Sequence, residues 1–396
     1  MLTRRPIAAY LVALVAIAPA CHAADGRESL DATLAPYLER DKLPALAAAV
    51  AVKGEVVAAG AVGTRRAGEK IPVTLDDRFH IGSDTKAMTA TLAGMLVDEG
   101  KLRWDSTVGE LLPDLAAGLD PGVRGVRLAQ LLSHTSGLPG DDEAFGELLG
   151  KSYLQEGNLD AMRTWLAKEY GKRPLATKPG AKFAYANMNY IIAGAAIERA
   201  AGRTWEELIR RRLFEPLGLR SAGLGNQASL GLVDAPLGHE ERDGKVVAFL
   251  AGPNGDNPVV LGPAGTAHMS VLDFARWAAW NAGGGRRGPA LVRPETLARL
   301  HAKVIDIPAR KGTAPGTPTI GGYAMGWGEV NVPFSREPLL HHAGSNTKNL
   351  AQVWIDPRRD LAIVLMTNLG GDRADDALKK LAAELYGRYA GSAGRP

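Results

Sequence analysis

The sequence predicts an α/β (α+β) fold in which an antiparallel sheet flanked by helices is interrupted by a mainly helical region. Three observations predict it. Two short apolar runs near the N-terminus are separated only by Lys53-Gly54-Glu55. A long middle stretch carries helix-spaced apolar residues and Gly/Pro loops. Two more strand-like runs and a closing amphipathic stretch end the chain. An early hairpin, a helical middle and a late hairpin with its helix make one sheet with an insertion. The expected division is residues 1–23 as a signal peptide, 24–80 and 301–396 as the sheet-bearing part, and 81–300 as the helical part.

The elements follow in chain order. Arg4 and Arg5 precede an apolar run from Ile7 to Ala18, and Ala18-Pro19-Ala20 and Cys21-His22-Ala23 both offer small residues at cleavage spacing. The run is too short to span a bilayer. The expectation is an exported, periplasmic protein with no stable membrane span. Cys21 is the sole cysteine. Cleavage after Ala23 leaves no thiol for a disulfide or a nucleophile. Cleavage after Ala20 leaves Cys21 as the site of a lipid anchor, although Ala18 stands where a lipobox prefers Leu or Val.

Leu30, Leu34, Tyr37 and Leu38 recur at helical spacing over 28–41. Leu46–Val52 and Val56–Val62 read as the hairpin. Behind Ser83, residues Met88, Leu92, Met95 and Leu96 recur at helical spacing, and Gly100 ends that helix. Further helices are expected at 127–133, 187–201, 204–213 and 271–282. Lys348–Ile355 and Leu361–Thr367 read as strands joined by a turn at Pro357. Residues 373–389 read as a helix with Leu378, Leu381, Leu385 and Tyr389 on one side.

The 396 residues are 46% hydrophobic and 23% charged, ordinary for a globular protein. The net charge is +4. Lys and Arg are scattered among acids rather than gathered into a stripe, which argues against nucleic-acid binding.

Three segments carry chemistry. Ser83 and Lys86 stand at i and i+3, on one face of a helix start. A serine hydroxyl needs a base to take its proton. Burial and the positive helix end both lower a lysine pKa, which makes Lys86 suited to that work. Alone, Ser-x-x-Lys is a weak signal, because it recurs by chance. Tyr185-Ala186-Asn187 supplies a hydroxyl that relays a proton and an amide that both accepts and donates. Read alone, it is equally a core tyrosine beside a helix cap. His342-Ala343-Gly344-Ser345 lies just before a strand. Gly344 lets a substrate approach the backbone, and the N–H of Ser345 pairs with that of Ser83 toward a developing oxyanion. His341 and His342 are neighbours on an extended chain and point to opposite faces, so they do not share a metal.

Together the three segments are far more specific than any one. Ser-x-x-Lys, then Tyr-Ala-Asn, then His-Ala-Gly follow the order of the Ser-x-x-Lys, Ser-Asp-Asn, Lys-Thr-Gly set of serine β-lactamases and penicillin-binding proteins. The chain resembles the class C β-lactamase and D-alanyl-D-alanine carboxypeptidase branch, with its esterases and D-aminopeptidases. The segments Gln130–Pro139, Phe214–Gly218, Gly262–Gly265, Ser270–Asp273 and Gly322–Trp327 share in the likeness. It runs from Leu30 to the final helix and diverges over 140–175 and 228–258.

The resemblance implies a transpeptidase/β-lactamase-like fold. It implies Ser83 as the acylated nucleophile and Lys86 with Tyr185 as the base and acid. Asn187, His342, Gly344 and Ser345 are implied to contact the substrate, a small molecule or short peptide. No metal or organic cofactor is implied. His342 stands where many β-lactamases carry lysine, and a neutral imidazole grips a carboxylate less firmly. Esterase or D-amino-acid peptidase activity is therefore expected ahead of β-lactamase activity. Asn346-Thr347-Lys348-Asn349 departs from the Gly-rich turn of many relatives. His134 reads as a turn histidine, and Asp273 as a helix-start residue.

The rival readings are poorer. No Gly-x-Ser-x-Gly elbow is present. His239-Glu240 lacks the second histidine of a zinc motif. Gly223–Ala228 follows no strand, so it is not a dinucleotide fingerprint. A peptidoglycan-fragment binding protein on the same fold would be expected to lose Ser83, Lys86 or Tyr185, and the chain keeps all three.

Overall fold

The computed structural model describes residues 26–252, 255–308 and 319–393. The expected signal peptide and Cys21 lie outside them. In chain order the strands are β1 Glu28–Ser29, β2 Ala45–Val52, β3 Glu55–Gly63, β4 Arg78–His80, β5 Gly223–Leu224, β6 Gly238–Arg242 and β7 Lys245–Phe249. They continue with β8 Ala267–Ser270, β9 Ile305–Asp306, β10 Thr319–Tyr323, β11 Gly328–Asn331, β12 Leu339–Ser345, β13 Leu350–Asp356 and β14 Leu361–Thr367.

Nine of these form the main sheet, in the order β1-β3-β2-β14-β13-β12-β11-β10-β9. The N-terminal hairpin β2–β3 thus docks on the C-terminal strands through β2 and β14, with Ala49 opposite Val364. The sequence predicts an antiparallel sheet. The structure adds one parallel pair, β1 against β3, made by the two residues that lead into the first helix.

The central strands β2, β13 and β14 are buried over nearly their whole length and mostly apolar, because both faces are covered. Along β2, Ala47, Ala49 and Ala51 join a core shared with the helical region, and Leu46, Ala48 and Val50 join a second core behind the sheet. This alternation follows from the two-residue period of a strand. The rear core is closed by the helices Asp31–Arg40 and Asp372–Ala393, with Leu378, Leu381 and Leu385 fully buried. On the front face the helix Val271–Ala282 packs across β2 and β14. The alanines of β2 leave room for that close approach.

The middle of the chain is mainly helical, as its periodicity predicts. Helices at Leu128–Leu132, Asn187–Ala201 and Val271–Ala282 occupy the expected places, while the stretch from Trp205 changes to a wider turn at Arg210–Phe214. Two small sheets were not foreseen: β4-β8-β5, and the β6–β7 hairpin. His342–Ser345 also lie within β12, rather than just before a strand. Among the described residues no helix is long and apolar enough to cross a membrane.

Candidate active site

The helix Thr85–Asp98 is buried from Thr85 to Leu96, on all its faces. Its sequence, rich in Ala, Met and Leu with three threonines and no further charge before Asp98, permits this. A short turn, Gly82–Asp84, leads into it and carries Ser83. That turn is pinned from both ends. Thr85 Oγ1 donates to Gly82 O at 2.6 Å, and Ile81 N donates to Ala267 O of β8 at 2.9 Å.

Lys86 is fully buried, one turn inside. Its Nζ lies 2.9 Å from Ser83 Oγ, 2.8 Å from Asn187 Oδ1 and 2.6 Å from Ala264 O. Two of these neighbours, the amide and the carbonyl oxygens, only accept. They take two N–H bonds in either charge state, which leaves the third direction of Nζ for Ser83. There the ammonium donates a proton and the neutral amine presents a lone pair. Burial pushes the Lys86 pKa down to about 7, with Asp141 and Asp84 pulling it the other way.

Tyr185 donates its hydroxyl to Ser83 Oγ at 2.8 Å. Tyr185 is 38% exposed as a whole, yet the protein packed around it still raises its pKa above the ordinary phenol value, opposed by the Ser83 bond and assisted by Asp141 and Asp84. The group is a phenol at neutral pH, able to give a proton rather than take one. Its ring packs on His134 with centroids 4.3 Å apart. His134 sits in the left-handed region at φ 55° and accepts Ala186 N–H at Nδ1, while its carbonyl receives Ala184 N–H. Burial holds it neutral. It supports the loop that carries Tyr185, in keeping with its reading as a turn residue.

Asn187 opens the helix Asn187–Ala201. Asp141, which the sequence reading passed over, sets its orientation. Asn187 donates its backbone N–H to Asp141 Oδ1 at 2.9 Å and its side-chain Nδ2 to Oδ2 at 2.6 Å. With Nδ2 committed to a carboxylate, Oδ1 has to face Lys86. Ala264 was also missed as an individual residue, although its segment Gly262–Gly265 stood out in the sequence.

Gly344 and Ser345 lie against the nucleophile from β12. A side chain at Gly344 would meet Ser83 N at 2.6 Å and Asp84 N at 2.7 Å, and would collide with Ile81 O. A side chain at Gly82 would run into Ser345 N. The backbone segments that carry the N–H groups of Ser83 and Ser345 are therefore in direct contact.

His342 is placed differently from these six residues. Only 6% exposed, it has Nε2 3.1 Å from Tyr323 Oη, and Nδ1 3.1 Å from Ala343 O and 3.4 Å from Asp84 Oδ1. Both ring nitrogens have protein neighbours. Burial, with Lys86 and His341 pushing the same way, takes its pKa down to about 3. It is a neutral ring beneath the site. His341 points to the opposite face and stacks on Trp354 at 3.8 Å. Among the described residues no group of three or more His, Cys, Asp or Glu side chains is arranged to hold a metal ion.

With this geometry in view, three comparisons bear on the chain. The Beta-lactamase family profile matches residues 30–387. Penicillin-binding protein 4 of Amycolatopsis lactamdurans is 28% identical over 356 residues, which cover 88% of this chain and 86% of that one. Among solved structures, EstCE1, described as a hydrolase with promiscuous acyltransferase activity, superposes with a TM-score of 0.73 at 19% identity, covering 90% and 99% of the two chains. The D-amino acid amidase of Ochrobactrum anthropi SV3 gives 0.72 at 19% identity, covering 92% and 98%. The two structures speak to the fold.

Proposed function

The chain belongs to the beta-lactamase family of serine hydrolases, and from that premise we propose that it cleaves an ester or amide through an acyl-enzyme on Ser83. The carrying observation is that Ser83 Oγ lies within 2.9 Å of Lys86 Nζ and 2.8 Å of Tyr185 Oη at once. The neutral amine of Lys86 takes the Ser83 proton as Oγ bonds to the acyl carbon. The N–H groups of Ser83 and Ser345 receive the oxyanion. As the bond to the leaving group breaks, Tyr185 gives that group its proton and regains one from the Lys86 ammonium. Water then attacks the ester carbon on Ser83, giving a proton to Lys86, and Lys86 returns that proton to Ser83 Oγ as its bond to the acyl carbon breaks and the acid leaves.

The substrate we propose is a small molecule or short peptide, taken by an esterase or by a D-amino-acid amidase or carboxypeptidase. The family holds β-lactamases too. The preference rests on His342, which is buried and neutral and puts no cation at the site for a β-lactam carboxylate. The amidase and EstCE1 likenesses are in keeping with it. We also propose export, on the strength of Arg4, Arg5 and the apolar run to Ala18; N-terminal sequencing of the cell-derived protein, starting at Ala24 or at Cys21 rather than at Met1, tests it.

The activity test offers purified protein a short-chain p-nitrophenyl ester, a D-amino-acid amide, a D-Ala-D-Ala peptide and a chromogenic cephalosporin. The proposal expects turnover of the ester or a D-configured amide or peptide well ahead of the cephalosporin. A cephalosporin turned over fastest makes the chain a β-lactamase. Tight binding of peptidoglycan fragments with no turnover of any compound makes it a binding protein.

A further inference from the structure

Behind the oxyanion site lies a polar chain that the acylation chemistry does not use. His80, at the end of β4, is fully buried, and its Nδ1 accepts the backbone N–H of Gly82 at 3.0 Å. That bond fixes the ring proton on Nε2, which lies 2.8 Å from Asp256 Oδ1 without hydrogen-bond alignment, a close electrostatic contact. The same oxygen receives Asn346 Nδ2 at 2.9 Å and Asn257 N at 2.7 Å. Asn346 is also buried, and its Oδ1 accepts Asn349 N at 2.9 Å and Lys348 N at 3.3 Å, which folds the turn after β12. Asn257 Nδ2 donates to Gly265 O at 2.8 Å, beside Ala264, which holds Lys86.

The chain therefore starts at Gly82, the residue before Ser83, and ends at Asn346, the residue after Ser345. We propose that Asp256 is a positioning residue that fixes the two oxyanion donors relative to each other, through His80 on the Ser83 side and Asn346 on the Ser345 side. The inference rests on the hydrolase reading above.

A buried carboxylate is expensive in an apolar interior unless donors surround it. Burial pushes the Asp256 carboxyl up, and His80, Asn346 and Asn257 more than offset this, so it is an anion at neutral pH. Its second oxygen is buried without a hydrogen-bond partner among the described residues. Packing alone would be served as well by an apolar side chain. What an apolar side chain would not supply is a single carboxylate oxygen that holds the His80 ring of β4 by electrostatic contact and the β12 turn by a hydrogen bond. Gly82 itself, at φ 50°, abuts Ser345 N, so movement on either side of Asp256 shifts one donor against the other.

Kinetics and binding of a boronic acid test this. A boronate on Ser83 places an oxygen in the oxyanion site, whereas ground-state binding does not depend on it. Losing one well-placed donor costs about 100- to 1,000-fold in kcat, and loosening two should cost about 10- to 100-fold. Asp256→Ala and Asn346→Ala are expected to lose kcat in that range, keep KM within about threefold, and lose boronate affinity by a factor similar to the kcat loss. Asp256→Asn keeps an acceptor for the same donors and is expected to stay within about threefold of wild type in both. The inference is overturned if Asp256→Ala folds with kcat and boronate affinity unchanged, or if it weakens KM and boronate binding equally. Should Asp256→Ala not fold, Asn346→Ala decides by the same two criteria. A wild-type protein that forms no boronate adduct at Ser83 instead refutes the hydrolase reading, and the two failures are distinct.

Discussion

In the proposed mechanism one group, Lys86, sets the acid limb of the pH–rate profile. Its pKa is pushed down to about 7 by burial, so the amine is neutral and competent above that pH and protonated below it. With that value the neutral fraction is about nine tenths at pH 8, one tenth at pH 6 and one hundredth at pH 5. The kcat/KM of an ester without a titrating group should therefore fall about 100-fold from pH 8 to pH 5, tenfold per unit below pH 6. Tyr185 makes the opposite forecast if it were the base. Its pKa is raised, so a phenolate would act only in alkali and the rate would still be climbing at pH 9. The assay is kcat/KM from initial rates at pH 5 to 10, followed at a wavelength insensitive to leaving-group ionisation. Lys86→Arg keeps a charge but cannot act as a base and should lose at least about 1,000-fold across the range. A profile flat from pH 8 to pH 5, or an acid limb that survives in Lys86→Arg, refutes the assignment.

Three further outcomes are expected. Gly344→Ala forces a Cβ onto Ser83 N and Ile81 O, so it should cost about 1–3 kcal/mol of stability or more and remove activity, read by chemical denaturation and turnover. His342→Lys puts an ammonium where the ring is buried against Tyr323, so it should lower Tm rather than create a cephalosporinase; improved cephalosporin turnover with unchanged Tm would contradict the buried placement. Arg163, fully buried, pairs with Glu198 and Glu206, and Arg163→Met should cost about 3–5 kcal/mol by stranding the Glu198 carboxylate, without altering the acid limb of the rate profile.

Ser83, Lys86, Tyr185 and Asn187 were legible because they stand at or just before helix starts, and Gly344-Ser345 because the three segments keep one order along the chain. The helix Val271–Ala282 was legible to the residue, since Ser270 caps it and its apolar residues repeat with the helical period. Strand β12 was obscured because two histidines and a glycine break its apolar alternation, and its burial comes from neighbours on both sides. The β6–β7 hairpin is dense in charge, with Glu241 and Arg242 exposed, so only the Asp243-Gly244 turn between its strands marks it. Asp141 and Asp256 were invisible for a different reason. Each gains meaning from a partner far along the chain, Asn187 or His80 and Asn346, and no local spacing encodes such a contact. His342 was legible as a type but not as a position, because the fold turns its ring under the site.

Acylation at Ser83 Oγ is the step on which the proposed chemistry depends. Intact-mass and peptide-mapping spectrometry of wild type and Ser83→Ala, each treated with a fluorophosphonate and with an activated ester under acid quench, tests it most directly. One adduct per wild-type chain is expected, mapped to Ser83, suppressed in Lys86→Arg and absent from Ser83→Ala. An adduct on another residue, or equal labelling of Ser83→Ala, would contradict it.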